Sequence, residues 1–336
     1  MTDDSLRPVI VVKRSDEAHN MVSFELADPD GADLPAFSAG SHIDVTIPGG
    51  LVRQYSLCNS SSERNRYVIG VWNDANSRGG SKALHAQVKE GNTLQVGLPR
   101  NRFRVPRSTK QAILLARGIG ATPVLSIADY LKSQNIPFEF HYVYALMSPG
   151  SFHAMIMASN FAENTKFYYE ASERNQLLNP KTVLPDQPED THLFICGVDW
   201  WQDPIIAIAK QKGFSEERIH VERFTAKVPA AILDKVFDVK IASSGIVYKI
   251  PGDKTVTASL EEQGVKIPTS CEQGMCGTCR IKVLEGDADH RDKRLTPKHR
   301  RKRASFFPVF PVLKATSWFW ICEPIDSSLW EFLACG

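Results

Sequence analysis

Hydrophobic and polar positions change rhythm twice along the 336 residues. Up to residue 104 the apolar residues fall in short runs: VIVVKRS, MVSFELA, HIDVTIP, RQYSLCN, RYVIGVW and TLQVGLP. Each is rich in β-branched or aromatic residues and bounded by Gly, Pro, Asn or Asp. Short strands separated by turn signals predict an antiparallel barrel or sandwich. SKALHAQVKEG (81–91) is the one helix-like stretch there, closed by Gly91. Residues 105–225 instead alternate strand-like runs (AILLA at 112–116, FEFHYVY at 138–144, KFYYEA at 166–171, HLFICG at 192–197, RIHVERF at 218–224) with helix-like segments, clearest at 122–133 and 200–212. Alternating strands and helices predict a parallel α/β sheet with a nucleotide crevice at the carboxyl ends of its strands. After the linker-like TAKVPAAILDK (225–235) come a hairpin pair, DVKIASSG and IVYKIPG, a helix in KTVTASLEEQG and a strand in RIKVLEG. The expected boundaries are a barrel over 1–104, an α/β domain over 105–228, a small α+β module over 229–292, and a tail of different character over 293–336.

Composition adds exclusions. With 43% hydrophobic and 23% charged residues the chain is neither disordered nor low-complexity. No apolar run reaches the ~18 residues of a membrane span. The first residues, MTDDSLRPVI, lack an apolar leader core, so a cytoplasmic location is expected. The formal net charge of +2 comes from the tail, where residues 293–336 hold eight Lys/Arg against three Asp/Glu. Without a finger spacing or RNP signature elsewhere, the run KRLTPKHRRKR reads as a solvated segment. Neither nucleic acid nor a membrane is expected as a partner.

Three of the seven cysteines lie within nine residues, Cys271, Cys276 and Cys279, spaced C-x4-C-x2-C. That is the spacing of a plant-type 2Fe-2S site, where thiolates bind iron as anions. Zinc sites pair C-x2-C units, and no second pair is present. In RQYS, Arg53 offers a forked cation to a phosphate, Tyr55 a ring to flank an isoalloxazine, and Ser56 a hydroxyl near its reactive nitrogen. Strand alternation puts Arg53 and Tyr55 on one face and Ser56 on the other. Ser77-Arg78-Gly79-Gly80-Ser81 then opens a helix, a composition suited to a terminal phosphate, hence FMN. Gly118-Ile-Gly120-Ala-Thr122-Pro123 is a Gly-rich βα turn, where a pyrophosphate is expected, and Cys196-Gly197 ends a later strand beside the expected nicotinamide. ALMSPGSF, after strand FEFHYVY, carries no Arg or Lys for a 2′-phosphate, which favours NADH.

In order, RQYSLCN, SRGGS, GIGATP, the CG strand end, HVERF, C-x4-C-x2-C and DHRD (289–292) resemble the phthalate dioxygenase reductase and vanillate O-demethylase reductase family. The resemblance covers residues 1 to about 292. It implies three modules: a flavin barrel, an NADH domain and a ferredoxin-like β-grasp domain. These pass electrons from NADH through FMN and a 2Fe-2S cluster to a Rieske-type oxygenase acting on an aromatic acid or ether. It also implies that Ser56, Thr122, Cys196 and Phe224 surround the flavin–nicotinamide contact. The alternative is a ferredoxin-like carrier, or an inactive product with an incomplete cluster. Three positions depart from the family pattern. Arg117 stands where the Gly-rich turn has Gly, and Val198 where the strand end has Pro. Val309 stands where a fourth cluster cysteine is due, with Cys322 the nearest substitute. The tail reads as if its frame had shifted, so it is expected not to supply the module's last strand.

Overall fold

In the computed structural model the described residues run from 6 to 321, excepting 19, 76, 78, 145–149, 151, 171–176, 225–235, 253, 266, 268–278, 280, 282 and 286–317. They form two compact units, Met1–Phe224 and Thr225–Gly336.

The first unit opens with antiparallel strands β1 (Leu6–Ala18), β2 (Met21–Ala27), β3 (Ser41–Thr46), β4 (Val52–Ser56) and β5 (Tyr67–Trp72), helix α1 (Gly80–Gln87), then β6 (Thr93–Gly97) and β7 (Arg100–Asn101). The sheet order is β4-β3-β6-β1-β2-β5, with β7 beside β3. It closes where Leu57 bridges Ile69 and the Cys58 N–H donates to the Val68 carbonyl at 2.8 Å. The expected barrel is there. Its interior is filled by alternate residues of the strands, including Val9, Val11, Phe24, Leu26, Ile43, Val45 and Ile69.

A parallel sheet follows: β8 (Gln111–Arg117), α2 (Ala121–Ser133), β9 (Phe138–Tyr144), α3 (His153–Met157), β10 (Thr165–Tyr169), α4 (Pro180–Val183), β11 (Thr191–Cys196), α5 (Asp199–Gln211) and β12 (Ile219–Glu222). Its order is β10-β9-β8-β11-β12. The inner strands are buried along their length, as helices on both faces require, and so read as continuous apolar runs. Helices α3 and α4 were not anticipated, being too short for a periodicity to emerge. The barrel and this sheet touch through Gly70 of β5. A Cβ there would come 2.4 Å from Phe152 Cζ and 2.9 Å from Thr122 Cγ2.

The second unit contains β13 (Phe237–Ile241), β14 (Val247–Ile250), α6 (Val256–Glu262), β15 (Val283–Glu285) and β16 (Trp318–Ile321). The expected hairpin is β13–β14, and α6 is capped by the Thr255 hydroxyl, which accepts from the Ala258 N–H at 3.1 Å. One expectation is overturned. The tail does supply a last strand: β16 lies between β13, parallel to it, and β15, antiparallel. Backbone hydrogen bonds make a ladder whatever the side chains are, and a Trp-Phe-Trp-Ile run has high strand propensity. The basic run 293–303 lies outside the described residues.

Candidate flavin and nucleotide sites

The two flavin motifs, over twenty residues apart, meet in space. Arg53 of β4 lies across the start of α1. A Cβ on Gly80 would come 2.8 Å from Arg53 Cγ and 3.2 Å from its Nε, so glycine there leaves room for the arginine. Gly79 precedes the helix in the left-handed region (φ 98°), and no side chain caps α1. Its first amides are therefore available to an anion beside a guanidinium, and a terminal phosphate fits that donor set. Ser81 Oγ accepts from the Asp74 N–H at 3.3 Å. Arg78 lies outside the described residues. Strand alternation holds. Tyr55 stands opposite Ile43 and Ser56 opposite His42, while Gln54 donates to Asp44 Oδ1 at 3.0 Å. Tyr55 packs against the barrel core, and burial pushes its phenol up. Ser56 is buried on the other face.

The second site lies at the carboxyl ends of β8 and β11. After Arg117 the chain makes a 3-10 turn at Gly118–Gly120 and enters α2. A Cβ on Gly120 would fall 2.2 Å from the Cys196 carbonyl oxygen, so the turn rests directly on the end of β11. Gly197 is confined in the same way: its Cβ would meet Trp201 at 3.0 Å and Arg117 at 3.1 Å. Thr122 Oγ1 donates to the Ile119 carbonyl at 2.9 Å and its methyl faces Gly70. Cys196 is fully buried, and burial, then the nearby Glu222, pushes its thiol well up, so it is a packing group rather than a thiolate. Phe224 packs on the apolar cluster that contains Cys196. Gly118, Gly120, Thr122, Cys196, Gly197 and Phe224 thus converge at one edge of the parallel sheet.

Sequence reasoning passed over three groups. Glu222 pairs with Cys196 across β11 and β12; its Oε2 is shielded from solvent without a hydrogen-bond partner, and burial raises its carboxyl to about 8. His42 is buried with neither ring nitrogen hydrogen-bonded, and burial, reinforced by Arg100 and Arg102, lowers it to about 4. Phe152 fills the gap over Gly70 from a left-handed backbone (φ 64°). An acid inside the apolar HVERF run was a usable signal for the first; nothing local marked the other two.

Of the cluster cysteines, Cys279 is buried, while Cys271 and Cys276 lie outside the described residues, as do Val309, Cys322 and most of ALMSPGSF. Residues 239–306 match the 2Fe-2S iron-sulfur cluster binding domain family. The chain is 38% identical over 291 residues to a vanillate O-demethylase oxidoreductase of Pseudomonas sp. (strain HR199 / DSM 7063), covering 87% of this chain and 92% of that protein. It is 33% identical over 291 residues to the phthalate dioxygenase reductase of Burkholderia cepacia, covering 86% and 90%. The chain belongs to this reductase family. A solved phthalate dioxygenase reductase, described as a modular structure for electron transfer from pyridine nucleotides to [2Fe-2S], superposes with a TM-score of 0.75 at 30% identity, covering 95% of this chain and 98% of that one. With the family come its class and cofactors: an oxidoreductase that uses NADH, FMN and a 2Fe-2S cluster. Three thiols at ferredoxin spacing suit such a cluster; the fourth thiolate has no cysteine at the family spacing.

Proposed function

We propose that this reductase serves a Rieske-type oxygenase or O-demethylase, with modules at 1–104, 105–228 and 229–292 followed by the tail 293–336. The flavin, when bound, supplies the exchange between two-electron and one-electron chemistry, and the cluster a one-electron relay. The protein's part is binding, orientation and exclusion of water. Arg53, Arg78 and the α1 amides of Gly79, Gly80 and Ser81 hold the FMN phosphate. Tyr55 and Ser56, at the end of β4 beyond Arg53, are the residues assigned to the flavin ring system. The Gly118–Gly120 turn takes the pyrophosphate of NADH, with Thr122, Cys196 and Gly197 beneath the nicotinamide and Phe224 shielding it. Cys271, Cys276 and Cys279 ligate the cluster.

The observation that carries this reading is Arg53 lying over Gly80 at an uncapped helix N-terminus, in the same compact unit as a Gly-rich turn seated on Cys196. Among the described residues no helix is long and apolar enough to cross a membrane, and Cys58 and Cys196 are buried free thiols, in keeping with a cytoplasmic site of action. The test is the purified protein. Its absorption spectrum should show the flavin bands, chromatography should identify the released flavin as FMN, and NADH should reduce ferricyanide; with cysteine restored by Val309→Cys, the cluster bands should appear beside the flavin and NADH should drive an added Rieske oxygenase. Released FAD, or a reductase unable to use NADH, would refute the reading.

A further inference from the structure

Arg117 replaces a small residue at the mouth of the nucleotide crevice, and its side chain is fully engaged there. It projects from the end of β8, and both arms of its fork meet Glu170, Nε on Oε1 and Nη2 on Oε2 (2.5 Å for the latter). Glu170 follows the end of β10, two strands away, where its N–H donates to the Tyr144 carbonyl at 3.3 Å at the end of β9. On the other side the guanidinium lies 4.8 Å over the ring of Trp200, in the first turn of α5 behind β11. The arch therefore spans the carboxyl ends of β10, β9, β8 and β11, the edge along which open parallel α/β sheets bind their ligands. The Arg117 and Glu170 side chains are 14% and 25% exposed, so the pair faces the crevice mouth without being buried in the core.

A carboxylate gripped by both arms of a guanidinium occupies the geometry a phosphate would take. We propose that Glu170 is an exchangeable counter-ion for Arg117: the pyrophosphate of the dinucleotide displaces it, so that binding opens the Arg117–Glu170 pair while Trp200 keeps the cation in place. This rests on the assignment of the crevice to NADH. A clip that merely fastened β8 to β10 would make Glu170 favourable to binding or indifferent to it. An exchange makes Glu170 a competitor, and only through Arg117.

The experiment is calorimetric titration of the oxidised full-length protein with ADP-ribose, which carries the pyrophosphate without the nicotinamide, and with adenosine, which carries neither. Glu170→Gln should tighten ADP-ribose binding about threefold, the scale of a partly exposed ion pair. Arg117→Ala should weaken it about tenfold, as loss of a charge-assisted contact does. The double variant should match Arg117→Ala, because the carboxylate has nothing left to compete for. Adenosine binding should be the same in all four proteins. Should Arg117→Ala lose its fold, Arg117→Gln carries the same expectation. Binding that is unchanged or weaker in Glu170→Gln, or unchanged or tighter in Arg117→Ala, overturns the exchange while leaving the crevice assignment standing. Failure of the wild-type protein to bind ADP-ribose or NAD+ at all overturns the assignment and the exchange with it.

Discussion

His42 and Glu222 set opposite pH limits on the fold. His42 titrates near 4 in the folded protein because burial and the charges of Arg100 and Arg102 disfavour its cation. His220, stacked 4.5 Å from Phe194 and hydrogen-bonded to His192 at 2.8 Å, is likewise lowered to about 4, by burial and then by His192. Between the unfolded value of about 6.5 and 4, the unfolded chain binds protons that the native state refuses, so stability is lost as pH falls through that window. The buried His42 can contribute up to ~3 kcal/mol and the partly exposed His220 less, so Tm measured against pH should fall below about 6.5, with His42→Leu flattening part of the decline. Glu222 behaves in reverse. Its carboxyl is raised to about 8 by burial, against the pull of Arg102, so the native state keeps a proton that the unfolded chain releases near 4.5. That contribution is present at acid pH and lost as pH rises through 8. Glu222→Gln, neutral at every pH, should leave Tm near its wild-type value at pH 5 and raise it above wild type at pH 9.

Two contacts between elements carry the next expectations. The seat of Arg53 of β4 over Gly80 brings a guanidinium to the start of α1, an arrangement suited to an anion. Arg53→Ala should weaken FMN retention by ~1.5–3 kcal/mol, read by flavin release on dialysis, with the barrel intact by circular dichroism. The second contact is β5 against Phe152. Gly70→Ala would push a methyl into a buried ring and the Thr122 methyl, and should cost ~1–3 kcal/mol in urea denaturation, as overpacking does. Phe224 follows β12 and packs on the cluster around Cys196. Its replacement by Ala should alter the preference for NADH over NADPH and slow NADH oxidation; unchanged steady-state rates would remove it from the site.

At the scale of the whole molecule, each unit has a core of its own, so a fault in one need not unfold the other. The first unit encloses the barrel and parallel-sheet clusters, and the second buries Phe237, Val239, Ile241, Ile250, Val256 and Leu260. With Val309 at the position of the fourth cluster cysteine, iron and sulfide should fall below two per chain or be lost on gel filtration. NADH should still reduce ferricyanide. Val309→Cys should restore iron and a stable paramagnetic signal on reduction. A full and stable complement of iron that survives Cys322→Ser would overturn this expectation.

The local pattern of this chain was enough to lay out its strands, its longer helices and the order of its motifs. Alternation and 3.6-residue periodicity are properties of neighbouring residues, and they were readable in β1 to β6, α2, α5, β13 and β14. Motif spacing carried the cysteine cluster and the flavin and nucleotide turns for the same reason. Only the fold decided that Arg53 lies over Gly80, that Arg117 is held by Glu170 and Trp200, and that Glu222 and His42 lose their water. Each depends on which remote segment packs above a residue, and burial and charge compensation belong to that packing. The tail shows the division most clearly. Its composition argued against a place in the sheet, yet Trp318–Ile321 fills the gap between β13 and β15, because a sheet selects a strand by its backbone and its vacancy more than by its side chains.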